Sequence, residues 1–218
     1  MRFIKLLYDF KKIFFKEKKN KFDYNYVLRT KKFSKSKRQK IEHQYINKIL
    51  KKNKIKEVLD FGCNDGRLAA SIDKDIIYQG VDINNNIKKG YLYSKNIKIF
   101  DKHISLKRKF ECIVFSHVIG HLDNPYSLIN GLIKNLKKKG IFIIITPNKY
   151  YKFFISFKNL FNDYMPDETV LKYYSKKEIL NILNLLNFRL IYFKNYSIQN
   201  NSIKKSLIGE RLIFVAKK

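Results

Sequence analysis

The stretch Glu57-Val58-Leu59-Asp60-Phe61-Gly62-Cys63-Asn64-Asp65-Gly66-Arg67-Leu68 decides how the rest of the chain is read. A strand-like run, Glu57–Phe61, ends in a turn that carries Gly62 and Gly66, with Asn64 between them. Gly62 lets the chain turn sharply and leaves bare backbone against a ligand. After glycine, asparagine is among the residues that best tolerate a positive φ. Gly66 is expected to open a helix over about Arg67–Asp73, its free N–H groups pointing into the site. The dinucleotide fingerprint G-x-G-x-x-G is not met, because positions 62, 64 and 67 are Gly, Asn and Arg. A phosphate-cradling P-loop is not met either, since no Gly-Lys-Ser/Thr follows. A cofactor with a nucleoside but no phosphates suits this loop better.

Outward from the loop, strand-like and helix-like segments alternate to the end of the chain. Strands are expected at Glu57–Phe61, Ile77–Asp82, Ile97–Phe100, Glu111–Ser116, Ile141–Thr146, Arg189–Phe193 and Arg211–Ala216. Helices are expected at Ser36–Lys52, Arg67–Asp73, Asn86–Ser94, Pro125–Lys138 and Lys176–Leu186, the last with Ser175 as its N-cap. Gly140–Ile145 is apolar on both faces, as a central parallel strand should be. The rhythm predicts a doubly wound, Rossmann-like α/β fold with ligands at the C-terminal ends of the strands. Asp82 ends the second strand, where a carboxylate can accept both ribose hydroxyls, with Ile83 beside it. Taken alone, Asp82 also reads as a helix N-cap. Asn148–Thr169 is expected to be a long irregular connection, rich in Tyr and Phe.

These segments together resemble the class I S-adenosylmethionine-dependent methyltransferases. Val58–Gly66 is similar to their first motif and Val81-Asp82 to their second. Phe110–Leu122 is similar to their fourth-strand segment, Lys139–Pro147 to their fifth strand, and Tyr173-Tyr174-Ser175 with Leu185–Phe188 to the passage before strand six. The resemblance spans about residues 40 to 217. It implies a seven-stranded, mostly parallel sheet with an antiparallel last strand, and S-adenosyl-L-methionine as cofactor. It places Asp60, Gly62, Asn64 and Gly66 along the cofactor, Asp82 and Ile83 at its ribose, Asp101 and Lys102 near its adenine, and Ser116 where the fourth strand opens toward the methyl group. Two family glycines are replaced, by Asn64 and by Asn187. Some family members bind a metal through Glu-x-x-Glu-His after the fourth strand. Here those positions read His117-Val118-Ile119-Gly120-His121, so no metal is expected.

Methyl transfer from a sulfonium is an in-line displacement, and an oxygen acceptor must also lose a proton. His117, at the end of the fourth strand, is the leading candidate base, because histidine titrates near neutral pH. His121 is the second catalytic candidate, with a structural hydrogen bond to backbone as its plainer reading. Tyr150, Tyr151, Phe153, Phe154, Phe157, Phe161, Tyr164 and Met165 lie where the family builds its acceptor lid. The expected reaction is O-methylation of a small molecule, a sugar or lipid-linked intermediate of cell-surface glycan assembly. RNA methylation and a non-catalytic scaffold are the alternatives. The nucleic-acid reading is weakened because no Asn/Asp-Pro-Pro-aromatic motif follows the fourth strand.

The 218 residues carry 47 Lys+Arg against 18 Asp+Glu, a net charge of +29. Such charge suggests a nucleic-acid binder. Arginine is scarce, however, and the chain is crowded with Lys, Ile, Asn, Phe and Tyr, a bias that A/T-rich codons alone would give. About half of the net charge lies in residues 1–57. Met1–Lys21 is amphipathic, with Phe3, Leu6, Leu7, Phe10, Ile13 and Phe14 at helical spacing among lysines. It is too charged to be a signal peptide or to span a bilayer. It reads either as a helix on an anionic membrane surface or as one packed on its own domain. Residues 1–35 are therefore a basic extension. Residues 36–218 are the methyltransferase domain, with an aromatic lid at about 148–172. Cys63 and Cys112, far apart and outside any zinc-ligand spacing, fit reduced thiols in a cytoplasmic protein, peripheral to the membrane if the extension binds it.

Overall fold

The computed structural model describes residues 37–83, 97–99, 106, 108–158 and 169–218. The extension 1–35, the expected helix Asn86–Ser94, and Asp101 and Lys102 lie outside the described residues.

In chain order the elements are α1 (Lys37–Lys52), β1 (Glu57–Phe61), β2 (Ile77–Asp82), β3 (Ile97–Ile99), β4 (Phe110–Ser116), α2 (Pro125–Leu132), β5 (Leu136–Pro147), α3 (Lys149–Lys158), α4 (Lys176–Leu185), β6 (Arg189–Gln199), β7 (Ser202–Lys205) and β8 (Arg211–Lys217). The strands form one sheet in the order β3-β2-β1-β4-β5-β8-β6-β7. β1 to β5 pair in parallel, while β8 runs antiparallel to both β5 and β6. The seven expected strands are all present, and the antiparallel one is Arg211–Lys217. β7 is an eighth, short edge strand paired antiparallel with β6.

The pleat sorts side chains into two cores. Phe142 and Ile144 of β5 join Leu59, Phe115 and Phe214 on one face, under Ile129 and Leu132 of α2 and Ile179 and Leu183 of α4. Ile141, Ile143 and Ile145 join Val58, Val114, Ile213 and Val215 on the other, under Ile46, Ile49 and Leu50 of α1. Burying each such side chain contributes about 1.5–3 kcal/mol. Local chemistry sets the helix starts. Asn124 accepts from the Ser127 N–H just before Pro125 in α2. Ser175 and Glu178 form a reciprocal capping box at α4.

Four elements differ from expectation. The helix expected at Arg67–Asp73 is a run of turns ending in a single 3₁₀ turn, Ala69–Ser71. Its N–H groups bond three residues back, Ala69 to Gly66 and Ala70 to Arg67. The run has only seven residues, and both of its ends bond elsewhere. Arg67 bonds Asp65 and Gln39, and Asp73 bonds Asn47 of α1. The helix expected to reach Lys138 stops at Leu132, because Leu136 already pairs with Phe110 across a bulge. The connection after β5 is helical over Lys149–Lys158, with the Asn148 carbonyl and side chain accepting from Lys152 and Tyr150. β7 arises because Asn200 and Asn201 take φ values of +47° and +58°, the geometry of a tight hairpin.

Candidate active site

The C-terminal ends of β1, β2 and β4 meet on one edge of the sheet, with Phe61 opposite Val81 and Asp60 opposite Val114. The loop after β1 is pinned to β2. The Gly62 and Cys63 N–H groups both donate to the Val81 carbonyl, and the Asn64 N–H donates to the Asp82 carboxylate at 2.8 Å. Gly62, Asn64 and Gly66 all have positive φ, at +74°, +49° and +77°. The left-handed turn expected from this spacing is therefore present. A Cβ on Gly62 would also lie 2.4 Å from Val118. The structure thus brings together Asp60, Gly62, Asn64, Gly66, Asp82 and Ile83, whose side chain is exposed beside the Asp82 carboxylate.

Asp60 is buried and accepts the Tyr78 hydroxyl proton at 2.8 Å. Burial, with the charge of Asp82, pushes its carboxyl up to about 7, against the pull of the Tyr78 hydrogen bond. Burial also raises the Cys63 thiol beside it, so this is not a reactive cysteine. This pocket fits a nucleoside bearing no phosphate. A pyrophosphate wants a helix N-terminus, and this loop leads into turns instead. The Asp82 carboxylate would repel phosphate, whereas it suits ribose hydroxyls.

β4 ends at Ser116, and His117 follows it. His117 has φ +59°, uncommon for a residue other than glycine, and its N–H donates to the Ile145 carbonyl. Its Nε2 lies 2.7 Å from Glu42 Oε1, and its side chain is 34% exposed, so the ring is held at one end and open at the other. Ser116 Oγ is 3.5 Å from the same carboxylate oxygen. Glu42, on α1, is 1% exposed. Its other oxygen accepts from the Tyr196 hydroxyl at 2.7 Å and from Arg211 at 2.5 Å. Burial would raise the Glu42 carboxyl, but Arg211 and His117 outweigh it and hold the group well below the usual carboxylate range. His43, next along α1, is pushed down to about 4 by burial despite the Glu42 charge.

His121 does not converge on His117. Its Nδ1 lies 2.9 Å from the Thr169 carbonyl and 3.0 Å from the Thr169 hydroxyl, which ties the turn after β4 to the segment before α4. Glu42, Tyr196 and Arg211 were not expected at the site. A signal existed for Glu42: it lies four residues before Ile46 and seven before Ile49, on the apolar stripe of α1.

An open α/β sheet of this order, with a glycine loop after β1 and an acid after β2, defines a nucleoside-cofactor enzyme of the methyltransferase type. A family model described as a methyltransferase domain matches residues 34–192, and the chain belongs to that family. An S-adenosylmethionine-dependent methyltransferase from Archaeoglobus fulgidus is similar in structure, with a TM-score of 0.61 and 22% identity over 88% of this chain and 99% of that one. The methyltransferase domain of bacterial CtHen1 gives 0.62 at 19% identity, covering 84% of this chain and 100% of that one. The plantazolicin methyltransferase BamL, solved with S-adenosylhomocysteine, gives 0.59 at 15% identity, over 89% of this chain and 90% of that one. A ubiquinone biosynthesis O-methyltransferase of Rickettsia bellii is 27% identical over 113 residues, 45% of each chain, so this chain spans less than half the length of that relative. Residues 34–192 are thus a methyltransferase domain, and the fold is the one that S-adenosylmethionine-dependent methyltransferases adopt.

Proposed function

We propose that the enzyme methylates a hydroxyl oxygen of a small-molecule acceptor, with His117 as general base. One observation carries this reading: His117 stands at the C-terminal end of β4 in a left-handed conformation, held by Glu42 through one ring nitrogen and open to solvent on the other side. Backbone outliers of this kind cluster at functional sites. S-adenosylmethionine supplies an electrophilic methyl carbon on a sulfonium. Asp82 and Ile83 would hold its ribose, and the turn of Gly62, Asn64 and Gly66, with Asp60 beneath, would flank its methionine end. Asp101 and Lys102 keep their proposed place near the adenine, and Ser116 borders the methyl group. His117 takes the acceptor proton, and His121 fixes the turn that carries it.

The name of the Rickettsia relative supports transfer to oxygen. Tyr150, Phe153 and Phe154 are exposed on α3 and offer flat apolar surface to a ring-shaped acceptor. We favour a sugar or lipid-linked glycan intermediate, which residues 1–21 would approach from the cytoplasmic side of a membrane. The net charge of +29 favours RNA as the second reading. Labelled cofactor incubated with a fractionated lysate separates these, according to whether label enters glycan, lipid, RNA or protein; label in RNA alone would replace the small-molecule reading. On the acceptor so found, His117→Asn should lower turnover about 10²–10⁴-fold while cofactor affinity by calorimetry stays within about twofold. Full activity in that variant removes His117 from the chemistry.

A further inference from the structure

The carboxylate of Glu42 is buried where α1 meets the sheet. Its two oxygens have unlike partners. Oε2 receives two donors, the Tyr196 hydroxyl and the Arg211 guanidinium, the latter unable to accept. Oε1 faces His117 Nε2 at 2.7 Å. A carboxylate that stays ionised can only accept, so the nitrogen facing it must carry the proton. That fixes the neutral imidazole with hydrogen on Nε2 and the lone pair on Nδ1. Among the described residues Nδ1 has no hydrogen-bond partner.

We propose that Glu42 is a positioning residue that locks His117 in the Nε2–H tautomer and so makes Nδ1 the atom that receives the acceptor proton. This deepens the reading of His117 as base and rests on it. In the step, the acceptor O–H bond breaks and its proton goes to Nδ1. The freed oxygen pair forms the bond to the methyl carbon, and the pair of the old C–S bond stays on sulfur. The imidazolium so formed keeps its Nε2–H bond to Glu42, whose charge compensates it. Around the Glu42–His117 pair lie His43 of α1, whose charge would act on both, Ser116 of β4, and Tyr196 of β6 and Arg211 of β8, which bond Glu42. Glu42 is the single anion among them. Tyr196 stays protonated, because burial and the Glu42 charge hold it well above the usual range.

The asymmetry of partners gives a sharp test with Glu42→Gln. The Arg211 guanidinium can only donate, so the glutamine carbonyl turns toward it and its NH₂ turns toward His117. Nε2 must then accept, and the proton moves to Nδ1. Long-range ¹H–¹⁵N correlation spectra of the full chain, with the His117 signals assigned from His117→Asn, read this directly and need no acceptor. With the imidazole neutral, wild type should show a protonated Nε2 and a bare Nδ1, and Glu42→Gln should show the reverse. The same tautomer in both proteins, or a protonated Nδ1 in wild type, overturns the proposal. Glu42→Asp keeps a carboxylate and should keep the wild-type tautomer, which guards against a folding defect in the glutamine variant. Turnover of Glu42→Gln on the identified acceptor should fall by up to about 10⁴-fold, as when a buried carboxylate behind a catalytic histidine becomes an amide. Activity of His117→Asn tests the base itself, so a failure there and a failure of the tautomer lock are distinct results.

Discussion

At the scale of single residues, the site is a set of carboxylates given different work by their surroundings. Glu42 has a guanidinium and an imidazole against it and stays charged in a dry place. Asp60 is raised to about 7 by burial and by the charge of Asp82, against the pull of the Tyr78 hydrogen bond. That rise has a consequence for the cofactor-free protein. A folded-state value above the ordinary 3.8 means that the folded form binds the proton more tightly. The stability it gives is complete below about pH 3.8 and is lost as pH climbs through about 7. Asp60→Asn is neutral throughout and loses nothing. In urea melts, its stability relative to wild type should therefore climb between pH 4 and 8, by on the order of a few kcal/mol. A difference that does not change with pH would contradict this.

At the scale of elements, α1 is the piece that completes the acceptor side. Glu42 joins it to β4, β6 and β8 at once, through His117, Tyr196 and Arg211. Arg38, one turn earlier, donates to the Ile198 carbonyl and to Glu210. Arg38 is exposed, and such pairs contribute little, about 0–1 kcal/mol. The Glu42–Arg211 pair is buried, so removing one partner strands a charge. Glu42→Leu alone should cost about 3–5 kcal/mol in denaturant melts. Glu42→Leu with Arg211→Met should cost clearly less than the sum of the two single changes, because no unpaired charge remains. Additive losses would mean that the pair is not coupled.

At the scale of the whole molecule, the described residues divide by charge: Asp60, Asp82 and Glu42 lie at one edge of the sheet with Arg211 paired to Glu42, whereas Lys139, Arg189, Lys217 and Lys218 line a recess at the opposite end. Among the described residues no helix is long and apolar enough to cross a membrane. Attachment of the kind proposed for residues 1–21 would be at a surface, through lysines and an apolar stripe. Full-length protein should sediment with anionic vesicles, and less so as salt rises. Protein lacking residues 1–21 should stay in solution. Sedimentation that survives the deletion would move the contact elsewhere or abolish the idea.

The fold was legible from local patterns because its strands are apolar runs punctuated by glycine and asparagine, and the period of a buried strand needs no tertiary information. The cofactor loop was legible for the same reason: Gly62, Asn64 and Gly66 announce positive φ in their own chemistry, and Asp82 lies one strand further on. The helix expected after the loop failed because side chains from elsewhere, Gln39 and Asn47, compete for its ends. Asn187 shows the converse, since it takes a left-handed φ of +57° at a position where the family resemblance implies glycine. The carboxylate network was hidden in the sequence. Glu42, His117, Tyr196 and Arg211 are separated by 75 to 169 residues in their bonds to Glu42. No local period joins them. Only the antiparallel insertion of β8 between β5 and β6, with α1 laid across that edge, brings two donors to one oxygen of Glu42 and a histidine to the other. The sequence alone determined a nucleoside-cofactor fold with a histidine at its rim. Tertiary packing decided which nitrogen of that histidine faces the carboxylate, because a tautomer is set by a neighbour's charge and not by position in the chain.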